Sequence, residues 1–417
     1  MLRLSKLLQK QNVLHIFPGQ GTQQVGQMLP KNYKSFSNLF SQANEILEYD
    51  LEALMTTGPA ERLNNTEFAQ PAIFMSSHLN FLNKGKFDDA DHDGDKDTVQ
   101  HFAGYSLGEY NALVASGKLS FENAILLLKV RGYLMQKACN QTDSLLATVV
   151  KSGKSKGGSL KIDEILQQVL ESDFKNTFNH ENNANFLHKQ QKDLYNGFEP
   201  DPNHPGHIKP DINNQDILEI AAWMSNNIFT VGGDVKPMQT LMKHKKEFGI
   251  LAMKYLNVSG AFHTRIMRPA VEDFRDVINS LCSDKDPEIV KVAISQMLYG
   301  LGFLNVKGHT KKPYYNLLKQ NIFTTNENKV YSNLTGQVYG TSRKHNKYPS
   351  EVEQIINDLP LQIENPVLWH QIIAGICKKE SDFISVREYG PGDGQLGKLL
   401  YRMNQKMWRK YSYEFEN

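Results

Sequence analysis

The sequence predicts an α/β protein built on a parallel sheet. Short apolar runs rich in β-branched and aromatic residues alternate with helix-period segments along most of the chain. One such run, residues 98–102, passes through Gly104-Tyr105-Ser106-Leu107-Gly108 into a helical stretch over 109–115. Another, over 251–258, passes through Ser259-Gly260-Ala261-Phe262-His263-Thr264 into a further helix. Loops after the C-termini of strands are where α/β proteins build their sites.

Taken in order, residues 13–17 read as a strand running into the turn Pro18-Gly19-Gln20-Gly21. Helical patterns follow through residue 55 and again over 71–82, while the polar, charged residues 84–97 read as a surface loop. A helix is expected over 121–138, with Ser120 as its N-cap and Glu122 in its first turn. Residues 145–150 are strand-like. Residues 151–158 are rich in Gly, Ser and Lys, and 176–215 in Asn, His, Gln and Pro. Such composition buries little apolar surface and reads as an insertion. Strands are expected at 217–224 and 229–231, a helix over 238–248, a strand over 251–258 and a helix over 269–281. A second irregular stretch covers 284–330. Strands at 330–332 and 383–389 and a closing helix over 395–406 complete the pattern.

The chain of 417 residues has room for two to three domains. A net charge of +2 argues against a nucleic-acid role for the whole chain, so any electrostatic partner must meet a local patch. Cys139, Cys282 and Cys377 form no C-x-x-C pair and indicate neither a zinc site nor a disulfide framework; they fit a reducing compartment. No apolar run approaches the roughly eighteen residues of a membrane span. Arg3, Lys6 and Lys10 interleave with Leu2, Leu4, Leu7 and Leu8, and the first acidic residue is Glu45. This basic, amphipathic start reads as a mitochondrial presequence over 1–12, with a basic arm as the alternative.

The pentapeptide around Ser106 has the form G-x-S-x-G in the strand–turn–helix setting of a nucleophile elbow. Its glycines leave room for the sharp turn, and the following helix aims N–H groups and its dipole at any oxyanion formed there. The plain alternative is a Gly-rich turn with an incidental serine. A nucleophilic serine needs a base, and thirteen histidines are available. His263 stands out because it lies between a strand and a helix; otherwise it is a capping or packed histidine. Arg131 lies beside an apolar stripe of Leu127, Leu128 and Leu134. A guanidinium there needs a carboxylate, because burying it unpaired is costly. On the residues alone a carboxylate of the protein is slightly favoured over one of a substrate, which Arg would grip bidentately.

Two further patterns carry less. The aspartates at 89, 91, 93, 95 and 97 resemble a calcium loop but lack the closing carboxylate, since position twelve is Gln100. Gly392-x-Gly394-x-x-Gly397 has dinucleotide-fingerprint spacing but no following βαβ unit, and reads as a turn opening a helix. Lys243, His244, Lys245 and Lys246 form a basic run that is either a solvated face or a dock for an acidic protein.

Together these motifs resemble the malonyl-CoA:acyl-carrier-protein transacylase family. The match runs from residue 17 to about residue 402: Phe17-Pro18-Gly19-Gln20-Gly21-Thr22-Gln23, Gln70-Pro71-Ala72, GYSLGEYNALVASG, Val130-Arg131-Gly132 with Met135-Gln136, GAFHTRIMRPA, Gln362-x-x-Asn365-Pro366-Val367-x-Trp369 and Glu388-Tyr389-Gly390-Pro391-Gly392. The layout most resembles a mitochondrial fungal member. The resemblance implies a hydrolase-like large domain (13–145 and 257–417) with a parallel sheet. Into it a small ferredoxin-like domain (146–256) is inserted, carrying a low-complexity insertion at about 151–215.

It also implies a ping-pong transfer of malonyl from malonyl-CoA to the phosphopantetheine thiol of acyl carrier protein, for type II fatty acid synthesis. Ser106 would be the nucleophile and His263 its base, oriented by the backbone carbonyl of Gln362. The N–H groups of Gln20 and Leu107 would form the oxyanion hole. Arg131 would bind the malonyl carboxylate, and Gln70 and Phe262 would belong to the substrate pocket. No metal or redox cofactor is implied, and the expected state is a monomer. Tyr105 departs from the family's usual His, and Thr22 from its Ser. An acyltransferase of other acyl preference, a thioesterase-like hydrolase with the same dyad, and a catalytically dead scaffold are the alternatives.

Overall fold

The computed structural model describes residues 12–88, 100–152, 161–171, 216–282, 322–341, 350–378, 383–392, 394–403 and 408–413. The chain begins with β1 (Asn12–Phe17), α1 (Ser37–Leu47), α2 (Leu51–Thr57), α3 (Ala60–Asn64), α4 (Thr66–Asp88), β2 (Gln100–Gly104), α5 (Gly108–Ala115) and α6 (Phe121–Cys139). There follow β3 (Ser144–Lys151), α7 (Ile162–Glu171), β4 (Leu218–Trp223), β5 (Ile228–Asp234), α8 (Val235–Lys243) and β6 (Ile250–Tyr255). The last part holds α9 (Arg268–Leu281), β7 (Lys329–Tyr331), α10 (Glu351–Gln362), α11 (Trp369–Cys377), β8 (Phe383–Glu388), α12 (Gln395–Met403) and β9 (Tyr411–Tyr413).

Five strands form a parallel sheet in the order β7-β2-β1-β8-β9. β1 lies in the middle, so both faces must be apolar. Alternate residues serve the two faces. Leu14 and Ile16 join Trp369, Ile372, Ile373 and Ile376 of α11 and Leu396 and Leu400 of α12. Phe17 joins the larger core built on α4, α5, α6 and α9. His15 points to that second face, stacked on Phe102 at 4.8 Å and bonded to Gln100 and Tyr389. Burial pushes its pKa down to about 4, so it is a neutral packing residue.

The second sheet is antiparallel, in the order β4-β5-β3-β6. Its chain order β3-α7-β4-β5-α8-β6 is the split βαβ of a ferredoxin-like unit. Ile162, Ile165, Leu166 and Val169 of α7 and Met238 and Leu241 of α8 pack on Ala147, Val149 and Val231 of this sheet. The expectation of an α/β fold with a parallel sheet and a small ferredoxin-like unit therefore holds.

Several local expectations differ. α4 continues to Asp88, so residues 84–88 are helical where a loop was expected. α7 lies inside the stretch read as a low-complexity insertion; its apolar residues recur at 162, 165, 166 and 169, a helical period that the surrounding polar composition hides. α8 ends at Lys243, five residues before the expected limit, and His244 and Glu247 bond to each other beyond it. Lys243 and Lys246 of the basic run are exposed. α10 and α11 fill a region to which the sequence reading assigned motifs but no elements. Residues 1–11 of the presequence expected over 1–12, and residues 89–99 of the calcium-like loop, lie outside the described residues, while Asn12 opens β1 and Gln100 opens β2. The Gly392-x-Gly394-x-x-Gly397 turn opens α12, and Glu388 caps it. Its carboxylate accepts from the N–H groups of Leu396 and Gly397 at 3.2 and 2.9 Å and from the Tyr411 hydroxyl at 2.7 Å. The N-terminus that would receive a phosphate already holds an anion of the protein. Among the described residues no helix is long and apolar enough to cross a membrane.

Candidate active site

Ser106 sits at the C-terminal edge of the central sheet, where β2 turns into α5. Its φ is +54°, a left-handed value that a residue with a Cβ adopts at a cost. The glycines on either side explain how so tight a turn forms. A Cβ on Gly104 would stand 1.9 Å from the backbone of Gly108, and one on Gly108 would stand 2.4 Å from the carbonyl oxygen of Phe17. Gly108→Ala is therefore expected to destabilise by about 1–3 kcal/mol through overpacking, read as a lowered Tm together with slower labelling of Ser106 by a serine-directed reagent. The elbow is tied to β1 by the Tyr105 N–H donating to the Phe17 carbonyl at 2.9 Å. Asn333 clamps it from the other side: its Oδ1 accepts from the Ser106 N–H at 2.8 Å and its Nδ2 donates to the Gly104 carbonyl at 2.6 Å.

His263 comes from the loop between β6 and α9 and also has a left-handed backbone, with φ +61°. Ser106 Oγ and His263 Nε2 are 2.7 Å apart. His263 Nδ1 lies 2.8 Å from the backbone carbonyl of Gln362. A carbonyl can only accept, so Nδ1 carries the proton and Nε2 is free to accept from the serine hydroxyl. The orienting group is an amide carbonyl, which makes the arrangement a dyad. Burial, and then the Arg131 guanidinium nearby, push the His263 pKa down to about 3, so the imidazole is neutral.

Arg131 projects from α6 into the same space and is 1% exposed. Its Nη1 donates to Gln70 Oε1 at 2.7 Å, and its Nη2 to Gln362 Oε1 at 2.8 Å and to Ser106 Oγ at 3.2 Å. The Tyr110 ring lies 5.8 Å from the guanidinium carbon. Among the described residues no carboxylate forms an ion pair with it, and its Nε has no hydrogen-bond partner. The protein carboxylate that the residues alone slightly favoured is absent from this set. Neutral amides hold the guanidinium in place, and Glu109 acts on it electrostatically without a direct ion pair, so the guanidinium can still receive an anionic group.

The remaining site candidates fall around this centre. Gln70 is bonded to Arg131, and through Thr66 Oγ1 the chain of bonds continues to Gln20 Oε1 at 2.8 Å. Gln20 lies in the turn after β1, and Leu107 follows Ser106 at the head of α5. Phe262 is 5% exposed and packs in the main core beside the dyad loop. Tyr105 is partly buried and set edge-on against Trp369 at 5.9 Å. The Asn365-Pro366-Val367 segment joins the β4 edge of the small sheet, with Val367 exchanging hydrogen bonds with Ala221 and Trp223. Among the described residues no group of His, Cys, Asp or Glu side chains could hold a metal ion. The sequence reading missed Asn333, Glu109, Tyr339 and Asp358. Glu109 lies within the elbow motif itself; Asn333 and Tyr339 come from a segment without a pattern of its own, and Asp358 from the middle of α10.

A serine–histidine dyad on a nucleophile elbow, above a parallel sheet with a ferredoxin-like insert, defines the class as a serine acyltransferase-type α/β protein. The acyl transferase domain family matches residues 14–169. The chain is 30% identical over 402 residues to the probable mitochondrial malonyl-CoA-acyl carrier protein transacylase of Drosophila melanogaster, covering 95% of this chain and 80% of that protein. It is 26% identical over 407 residues to the human mitochondrial malonyl-CoA-acyl carrier protein transacylase, covering 95% and 78%. The solved structure of the Coxiella burnetii malonyl CoA-acyl carrier protein transacylase has the same fold, with a TM-score of 0.65 at 20% identity over 98% of this chain and 95% of that one. The chain belongs to the malonyl-CoA–acyl carrier protein transacylase family.

Proposed function

We propose that this protein transfers malonyl from malonyl-CoA to the phosphopantetheine thiol of an acyl carrier protein, for fatty acid synthesis. The observation that carries the reading is the buried Arg131 guanidinium, without a direct ion pair among the described residues, 3.2 Å from Ser106 Oγ. In the first half-reaction Ser106 Oγ attacks the thioester carbon while His263 Nε2 takes its proton. The N–H groups of Gln20 and Leu107 receive the oxyanion. The carbon–sulfur bond breaks, and the proton on His263 passes to the departing CoA thiolate. In the second half the carrier thiol gives its proton to His263 and its sulfur attacks the malonyl ester. Ser106 leaves with the proton returned.

The free carboxylate of a malonyl group is separated from the ester carbon by one methylene, so it falls beside Arg131. Gln70 and Gln362 hold the guanidinium for it, and Phe262 limits bulk on the methylene. The carboxylate also offsets the positive charge that opposes protonation of His263, so the diacid strengthens the base that acts on it. Incubation with malonyl-CoA is expected to raise the intact mass by one malonyl group, with no rise in Ser106→Ala; an unchanged wild-type mass would overturn the reading.

The basic start over 1–12 and the mitochondrial relatives support a mitochondrial location. Likeness to a fungal member rests on motif layout alone. We assign residues 13–145 and 257–417 to the large domain, residues 146–256 to the inserted one, and a monomeric state.

A further inference from the structure

Glu109, in the first turn of α5, is buried at 1% exposure and touches none of the atoms that react. It nevertheless bonds to both residues that hold the site from behind. Its Oε1 accepts from the Asn333 N–H at 3.1 Å and from the Tyr339 hydroxyl at 2.6 Å, and its Oε2 from Gln362 Nε2. Asn333 clamps the elbow at Ser106 and Gly104. Gln362 supports everything else: its backbone carbonyl orients His263, its Oε1 accepts from Arg131, and its Nε2 also donates to the Ser106 carbonyl at 3.1 Å.

We propose that Glu109, as a carboxylate, is the positioning residue that holds Asn333 and Gln362 in register and so aligns serine, histidine and arginine together. The carboxylate fixes which way the Gln362 amide faces. With Nε2 drawn to Glu109, Oε1 must face Arg131; a flipped amide would present N–H to a guanidinium. Only the ionised form accepts from all three donors without offering a hydrogen of its own. Protonation removes the charge assistance and puts a donor where donors already point.

The surroundings set this group near the point of change. Burial raises the Glu109 pKa to about 7, and Asp358 of α10 adds to the rise. The bonds from Tyr339, Asn333 and Gln362 oppose it. Arg131 of α6 and the neighbouring Tyr110 also face Glu109 electrostatically. Below about pH 7 the carboxyl is protonated and its hold slackens; above it the hold is complete. His263, held near pKa 3, cannot supply a limb in that range.

The inference deepens the proposed acyl transfer, and its test does not need malonyl-CoA. The rate at which phenylmethylsulfonyl fluoride labels Ser106 is measured from pH 5.5 to 8.5. In the wild type the rate is expected to fall on the acid side of a limb near pH 7. In Glu109→Gln the limb should vanish and the plateau rate fall by about tenfold to a hundredfold, the range expected for a misaligned constellation. Tyr339→Phe, which removes one donor that favours the charged form, should move the limb to higher pH. This variant decides the matter if Glu109→Gln does not fold. A wild-type profile flat through pH 7, or a limb that stays in place in the variants, overturns the proposal while leaving the malonyl mass test untouched.

Discussion

Ser106→Ala is expected to lower acyl transfer by about four to six orders of magnitude, as loss of the nucleophile does in other serine enzymes. The size follows from covalency: without Oγ no ester can form, so the ping-pong route is closed and binding energy alone remains. His263→Ala should cost nearly as much, and the double variant little more than either single one, because the two act as a unit across a 2.7 Å contact. Steady-state transfer from malonyl-CoA to acyl carrier protein measures all three. Multiplying rather than saturating losses would mean that the pair does not work as one device. Ser106 also makes its backbone bond to Asn333 through N–H, which alanine keeps, so the fold should survive the substitution.

Arg131→Ala should separate the diacid from the monoacid. For malonyl-CoA, kcat/KM should drop by about a hundredfold more than for acetyl-CoA, the worth of a charge-assisted bidentate contact at roughly 3 kcal/mol. Some loss is expected for both substrates, because Gln70 and Gln362 lose their donor and Nη2 no longer supports Ser106 Oγ. Arg131→Lys serves as the control. It keeps the charge but not the planar fork, and should recover only part of the selectivity. Equal losses for the two acyl groups in both variants would remove Arg131 as the filter for malonyl.

Much of this was legible in the chain. The elbow shows in sequence because its geometry admits few residues: glycine at 104 and 108, where a Cβ would strike backbone, and a small nucleophile between them. The Ser120 cap of α6 and the strand periods were equally local. The helix α10 carried a readable start as well, Ser350 followed three residues later by Glu353, and its cap bond forms as that pattern implies. The long irregular stretch before it masks that start. The helix α7 was hidden in the same way, its apolar residues spaced for one face among neighbours of loop-like composition.

Asn333, Tyr339 and Asp358 could not have been found by such means. Each is an ordinary polar residue on an ordinary segment, and its importance comes from meeting Glu109 or its partners across more than 200 residues of chain in the cases of Asn333 and Tyr339. Tyr105 is similar: the sequence marks it as a departure, and only the packing shows its ring set edge-on against Trp369.

By itself the sequence determined the α/β class and pointed to a candidate nucleophile, a candidate histidine and an arginine in need of a carboxylate, because those depend on residue type and short-range spacing. Tertiary structure alone decided that Ser106 and His263, 157 residues apart, touch. It also decided that the groups gripping Arg131 are neutral amides, and that one buried carboxylate braces the whole site. These are matters of distance and dielectric between segments remote in the chain, and local preference carries no information about either.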